Sequence, residues 1–197
     1  MIRGRYRFNK PRVDEPRDEI AIVLDFLPNG YVLENKPIYK NPIAQLIGKQ
    51  TLQLLDAIVK KEVHLKPLQE VYIGKGKREE IKHIIGKLDP KKLTETAKTN
   101  LKEVINKIIE ENEDKYVDFF NKAPPLTTRM HSLELLPGLG KKHMWTIIEE
   151  REIQPFKSFE DLAKRAKLHD PKKMVVDRVI HEILNPDEKH YIFVRRF

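Results

Sequence analysis

The stretch Leu133–Arg151, LELLPGLGKKHMWTIIEER, decides how the second half of the chain is read. Leu133 and Leu136 are spaced for one face of a short helix. Pro137 then discourages continuation of that helix, because it lacks a donor and its ring crowds the preceding turn. Gly138 and Gly140 flank Leu139, so the backbone is free to take positive φ values that a side chain resists. Leu139 is expected to turn inward and pin the connection to the core. Lys141, Lys142 and His143 open the next helix, and Met144, Ile147, Ile148 and Arg151 recur at helical spacing along it. The first N–H groups of such a helix have no partner within it, and its dipole makes that end partly positive. A phosphate satisfies both. The two glycines leave the approach open, the two lysines add charge, and His143 is placed to donate as well.

Residues Leu136, Pro137, Gly138, Leu139, Gly140, Lys141 and Lys142 resemble, position by position, the helix-hairpin-helix motif of nucleic-acid-binding proteins. That resemblance implies binding to the sugar-phosphate backbone with little reading of bases. Met144 stands where the motif usually has a small residue, which implies a wider helix crossing or an adaptable filler.

Working toward the C-terminus, Ser158 is a candidate N-cap, followed by Glu160 and Asp161 in the first turn, where the dipole favours them. Leu162, Ala163, Ala166 and Leu168 make the apolar face of that helix. Asp170 caps the next helix with Pro171 at its first position. This second pair repeats the layout of the first and resembles the degenerate partner in a tandem helix-hairpin-helix domain. It lacks the glycines, so Lys172 and Lys173 are either phosphate contacts or plain surface lysines. Asn185-Pro186 ends the helix, and His190–Phe197, HYIFVRRF, reads as a terminal strand returning to the sheet.

Working toward the N-terminus, Asp89-Pro90 opens an amphipathic helix, or two joined near Thr99-Asn100, with Leu93, Ala97, Leu101, Val104, Ile105, Ile108 and Ile109 on one face. Before it the pattern is one of strands. EIAIVLDFL at Glu19–Leu27 is a strong strand, and Pro28-Asn29-Gly30 is a hairpin signal that predicts Tyr31-Val32-Leu33 as its return. Further strands are read at Ile43–Gly48, at Thr51–Val59 (where helical spacing competes), at Glu70–Lys75 and at Ile81–Ile85. Many short strands with turn signals predict a small barrel, and an OB-fold suits the length. Lys75, Lys77 and Arg78 lie in a glycine-containing loop at its rim, either a basic contact or a solvated turn. Its spacing is not that of a phosphate-binding P-loop. Tyr31 and Tyr72 either stack on bases or are half-buried core. The first residues, from Arg3 to Arg12, are basic; Arg5 and Arg7 beside Tyr6 and Phe8 form either a phosphate grip or a solvated tail.

The expected fold class is therefore α+β, an N-terminal small OB-like β-barrel followed by an all-α tandem helix-hairpin-helix module. The expected boundaries are 1–88 for the barrel, 89–123 for a helical linker, 124–185 for the hairpins and 186–197 for the strand. The 197 residues are 40% hydrophobic and 35% charged with a formal net charge of +8, a balance that favours a polyanionic partner. The chain has no cysteine, which excludes disulfides, cysteine-ligated zinc and thiol catalysis. No apolar run is long enough for a membrane span. The carboxylates Asp14, Glu15, Asp18 and Glu19 precede the first strand and read as a solvated run rather than a metal site.

The whole pattern resembles an archaeal family, domain of unknown function 655, on Glu19–Leu27, Glu70–Lys75, Leu133–Arg151 and the following Pro155-Phe156-Lys157-Ser158-Phe159. The resemblance implies nucleic-acid binding, RNA favoured over DNA, and no established catalysis. The expectation is a cytoplasmic, non-catalytic nucleic-acid-binding protein without a cofactor, and with a ribonucleoprotein or protein partner in view. The alternatives are a metal-dependent nuclease or modification factor with an unrecognised site, or a protein-interaction module.

Overall fold

The computed structural model describes residues 18–33, 36–37 and 41–195. Its first half is a five-stranded antiparallel sheet built from β1 (Ile20–Leu27), β4 (Ile43–Gly48), β5 (Leu54–Val59), β6 (Glu70–Tyr72) and β7 (Ile81–Lys87), in the order β6-β1-β4-β5-β7. The sheet curls into a half-barrel. Register shifts between Val23 and Asp25 and on either side of Ala57 and Ile58 provide the extra twist that curling requires. β1 explains itself by period 2. Ala21 and Val23 face the inside of the curl with Ala44, Leu46, Ala57, Val59 and Val71, whereas Ile22 and Leu24 face the helices with Ile47 and Leu54. Both faces of the strand are buried, so it reads as a continuous apolar run.

The second half is helical: α1 (Glu95–Glu111), α2 (Glu113–Lys122), α3 (Lys141–Ile153), α4 (Phe159–Ala166) and α5 (Pro171–Leu184). One apolar cluster runs from Ile22 and Leu24 through Leu101, Ile105 and Ile108 to Val175 and Val179, so sheet and helices share a core centred on α1. Each such fully buried side chain contributes roughly 1.5–3 kcal/mol. α1 is fastened to the sheet by polar groups. Thr94 caps it by accepting from the Ala97 amide at 3.0 Å and donates to Asp25 at 2.6 Å, and the Asn100 side chain donates to the Leu24 carbonyl at 2.8 Å. No helix among the described residues is long and apolar enough to cross a membrane.

Four expectations are corrected. Val32–Leu33 (β2) pairs with Lys36–Pro37 (β3) and not with β1, whose two edges are occupied by β4 and β6. Asp89-Pro90 opens only a 3-10 turn, Pro90–Lys92; α1 starts after Thr94, runs unbroken through Thr99-Asn100 and ends at Asn112, whose side-chain amide donates to the Ile108 carbonyl at 2.8 Å. Residues 190–195 form no strand. The amides of Ile192, Phe193 and Val194 donate instead to the buried Glu182 carboxylate, at 2.9, 3.0 and 2.8 Å, which removes the donors a ladder would use. Asp18 is not solvated. It is buried, and its carboxylate accepts from the Gln50 and Thr51 amides and the Thr51 hydroxyl, tying off the turn between β4 and β5.

Candidate nucleic-acid interface

The hairpin turn is assembled from both sides. A short strand pair, β8 (Pro125–Thr127) with β9 (Met130–His131), leads into a 3-10 turn over Ser132–Leu135. His131 caps that turn, its Nδ1 accepting from the Leu133 amide at 3.1 Å while the Glu134 carboxylate accepts from the His131 amide at 2.8 Å. An accepting Nδ1 requires the neutral ring. Burial holds the His131 imidazole below its ordinary value, Arg151 adds to this, and Glu134 opposes it. Leu133 and Leu136 are buried, and the Leu139 amide donates to the Leu136 carbonyl at 3.2 Å. Gly138 follows Pro137 at φ +80°, a conformation that favours glycine, and Leu139 is directed inward at 7% exposure. The far end of α3 is anchored by Arg151, which donates to the carbonyls of Phe120 and Ala123 at 3.0 and 3.1 Å. Arg151 is thus a structural residue, and Met144 is buried as core filler.

These anchors leave the start of α3 open. Gly140 is its N-cap, no side chain caps it, and its first turn holds no acidic residue. By contrast α1, α4 and α5 are capped by Thr94, Ser158 and Asp170. A methyl group built on Gly138 or Gly140 meets no protein atom within 4 Å. Lys141 and Lys142 are exposed and His143 half-buried. The arrangement presents unpaired main-chain donors, the positive end of a dipole and two ammonium groups toward solvent, a combination suited to an oxyanion.

One residue here escaped the sequence reading. Trp145, four positions after Lys141 and so on the same helical face, is 58% exposed, unusual for the only tryptophan in the chain. The available signal was a large aromatic lying off the apolar face set by Met144 and Ile147.

The other candidate residues sit elsewhere. At the start of α5, Asp170 already accepts from the Lys173 amide at 2.9 Å, and Lys172 is bonded to Glu110; Lys173 is exposed. In the loop after β6, Lys75 and Lys77 are exposed, while Arg78 donates to the Gly74 carbonyl at 2.9 Å. Tyr72 lies under that loop: its hydroxyl accepts from the Gly76 amide at 3.2 Å, and a Cβ on Gly74 would meet it at 2.4 Å. Tyr31 belongs to a polar network, donating to Asp56 at 2.7 Å and accepting from Gln45 at 2.9 Å, and burial raises its pKa well above the ordinary tyrosine value. Burial likewise raises the Asp56 carboxyl, which the Tyr31 hydroxyl partly offsets. Arg5 and Arg7 lie outside the described residues.

An α+β protein of this architecture, with a curled sheet and a glycine hairpin on a shared core, belongs to a defined family. The family model described as "Protein of unknown function (DUF655)" matches residues 17–195, and the chain is a member of that family. It is 40% identical over 204 residues to the uncharacterized protein MJ0038 of Methanocaldococcus jannaschii, covering 99% of this chain and 92% of that protein. It is also similar to the crystal structure of Af1531 from Archaeoglobus fulgidus, a DUF655 protein, at 47% identity with a TM-score of 0.81, covering 90% of this chain and all of that one.

Proposed function

We propose that this is a non-catalytic nucleic-acid-binding protein, with RNA its favoured target, that grips the sugar-phosphate backbone at the start of α3. The uncapped, exposed turn from Gly138 to His143 carries the reading. Gly138 and Gly140 leave room for a phosphate oxygen, Leu139 holds the turn to the core, and Lys141, Lys142 and His143 supply donors and charge. The turn and the helices around it support a helix-hairpin-helix reading, with α4–α5 as a partner hairpin whose anion position is taken by Asp170. Lys172 and Lys173 are then weaker contacts than the first lysine pair.

The curled sheet supports the OB-like reading. With the short β2–β3 pair set aside, β6-β1-β4-β5 has the 4-1-2-3 order of a Greek key. In such barrels rim loops meet single strands, the position of Lys75, Lys77 and Arg78. Arg5 and Arg7, outside the described residues, add to the positive charge of the chain, and the family resemblance favours RNA. A cytoplasmic site of action fits this role.

Filter binding of labelled RNA and DNA at several salt concentrations tests the proposal. Affinity is expected to fall steeply with salt, because bound phosphates release counterions. Lys141→Glu with Lys142→Glu is expected to flatten that dependence by about 1 unit of log–log slope for each lysine. A flat response in the natural protein, unchanged in the double variant, rejects the reading.

A further inference from the structure

A second feature lies away from the hairpin, where the β4–β5 turn, the α1–α2 junction and the C-terminal segment converge on a cleft of about 390 Å³. Its lining includes Lys49, Gln50, Asn112, Lys115, Tyr116 and Arg195, and no carboxylate among the described residues. A volume of that order lies in the usual range for small-ligand pockets, roughly 300–1,000 Å³. Lys49 is already met by Glu70 and Glu111, at 2.7 and 2.8 Å. Among the described residues neither Lys115 nor Arg195 has such a partner. Burial and the nearby Arg195 both push the Lys115 pKa down. Asp18 acts in the opposite sense, but its carboxylate is already taken by Gln50 and Thr51.

One residue of the lining, Tyr116, carries a donor without an acceptor among the described residues. Tyr116 is 1% exposed, and its hydroxyl is the buried side-chain polar atom that lacks a hydrogen-bond partner among the described residues. A buried, unpaired hydroxyl costs stability. Burial pushes its pKa up to about 12, so it stays protonated. The position of Arg195 is imposed by the fold: its amide donates to the Thr51 carbonyl at 3.3 Å, its carbonyl accepts from Gln53 at 2.8 Å, and Glu182 clamps the three preceding amides. Lys115 and Arg195 share the lining of this cleft and are both exposed, so an anion from solvent can reach them, and the unpaired hydroxyl is the buried cost beside them.

We propose that this cleft binds the phosphate group of a nucleotide-sized ligand, with Lys115 and Arg195 as counter-charges and the Tyr116 hydroxyl as a donor. A phosphate monoester carries about −1.5 to −2 charges at neutral pH, which matches two cations without a carboxylate partner among the described residues. The phosphate comes either from a free nucleotide or from the 5′ end of a nucleic acid. The site does not depend on the hairpin.

Calorimetric titration and thermal melting with inorganic phosphate and with AMP, at ionic strength held constant with chloride, test the proposal. Both probes are expected to bind and to raise the melting midpoint. Lys115→Gln and Arg195→Gln should each weaken binding about tenfold, the value of one charge-assisted contact. Tyr116→Phe keeps the ring and its packing; it should weaken binding while the ligand-free variant melts no lower than the natural protein. Oligoribonucleotides with 5′-phosphate or 5′-hydroxyl ends, compared in the Lys141→Glu/Lys142→Glu background, separate the two sources. Preference for the phosphorylated end assigns the nucleic-acid terminus, and equal weak binding beside tight AMP binding assigns the free nucleotide. No response to phosphate or AMP, or undiminished binding in the Lys115→Gln/Arg195→Gln variant, overturns the proposal.

Discussion

Gly140→Ser separates the stability of the hairpin from its binding, because the two should move in opposite directions. Gly140 has φ −78° and ψ 160°, nearly the conformation of Thr94 (−67° and 161°), which caps α1 by accepting from the amide three residues on. A serine at 140 therefore fits without strain, and nothing lies within 4 Å of its Cβ. Its hydroxyl is expected to accept from the His143 amide, as Thr94 does from Ala97 at 3.0 Å. Replacing a glycine N-cap by serine stabilises a helix by a few tenths of a kcal/mol. For a chain of this size that raises the melting midpoint by about 1 °C. The same hydroxyl takes a donor that a phosphate would use. One charge-assisted hydrogen bond is worth about 1.5–3 kcal/mol, so nucleic-acid affinity should fall at least about tenfold. Thermal melting and filter binding on one preparation measure both effects. A variant that melts slightly higher and binds as tightly as the natural protein would refute the role of these amides. A variant that loses both properties would show that the turn cannot accept the side chain.

Three further outcomes follow from the same geometry. Trp145→Ala should weaken single-stranded RNA binding by about 1–3 kcal/mol, the value of one stacked base, and RNA should quench the fluorescence of this sole tryptophan in the natural protein; unquenched emission at saturation argues against stacking. Glu182→Ala strands three amides and removes the carboxylate hydrogen-bonded to buried Arg178, leaving it, among the described residues, only the Glu188 carboxylate at 4.0 Å, so unfolding should be easier by about 3–5 kcal/mol, a fall of roughly 6–20 °C in melting midpoint; a fall under about 2 °C would contradict the clamp. His131 is held below its ordinary pKa, so the unfolded chain takes up its proton at a higher pH than the folded one. Its contribution is fully present above about pH 6.5 and is lost as pH falls through the folded-state value. Denaturant midpoints across that range should decline in the natural protein more than in His131→Asn, whose acceptor does not titrate, and parallel curves would exclude the cap.

The glycine turn before α3 was legible because its signals are local. Pro137, Gly138, Leu139 and Gly140 specify a turn through their own φ preferences, and Ser158 and Asp170 specify helix starts through bonds to amides three residues on. The strand β1 was equally legible from its apolar run. The same logic failed at Pro28-Asn29-Gly30, where the turn signal is real but β1 pairs elsewhere. It failed again over residues 190–195, where strand propensity yields to a single carboxylate, Glu182, on a neighbouring helix. Asp18 read as one of four exposed acids and proved to be a buried turn lock.

The sequence by itself determined β1, the helix starts at Ser158 and Asp170, the glycine turn and the balance of charge, since each depends on backbone preferences and spacings within a few residues. Only the tertiary structure decided which strands pair, which cations share a cleft and which polar groups are buried. Those outcomes depend on residues far apart in the chain, such as Thr51, Lys115 and Arg195, which one shared core brings to the same place and removes from water together.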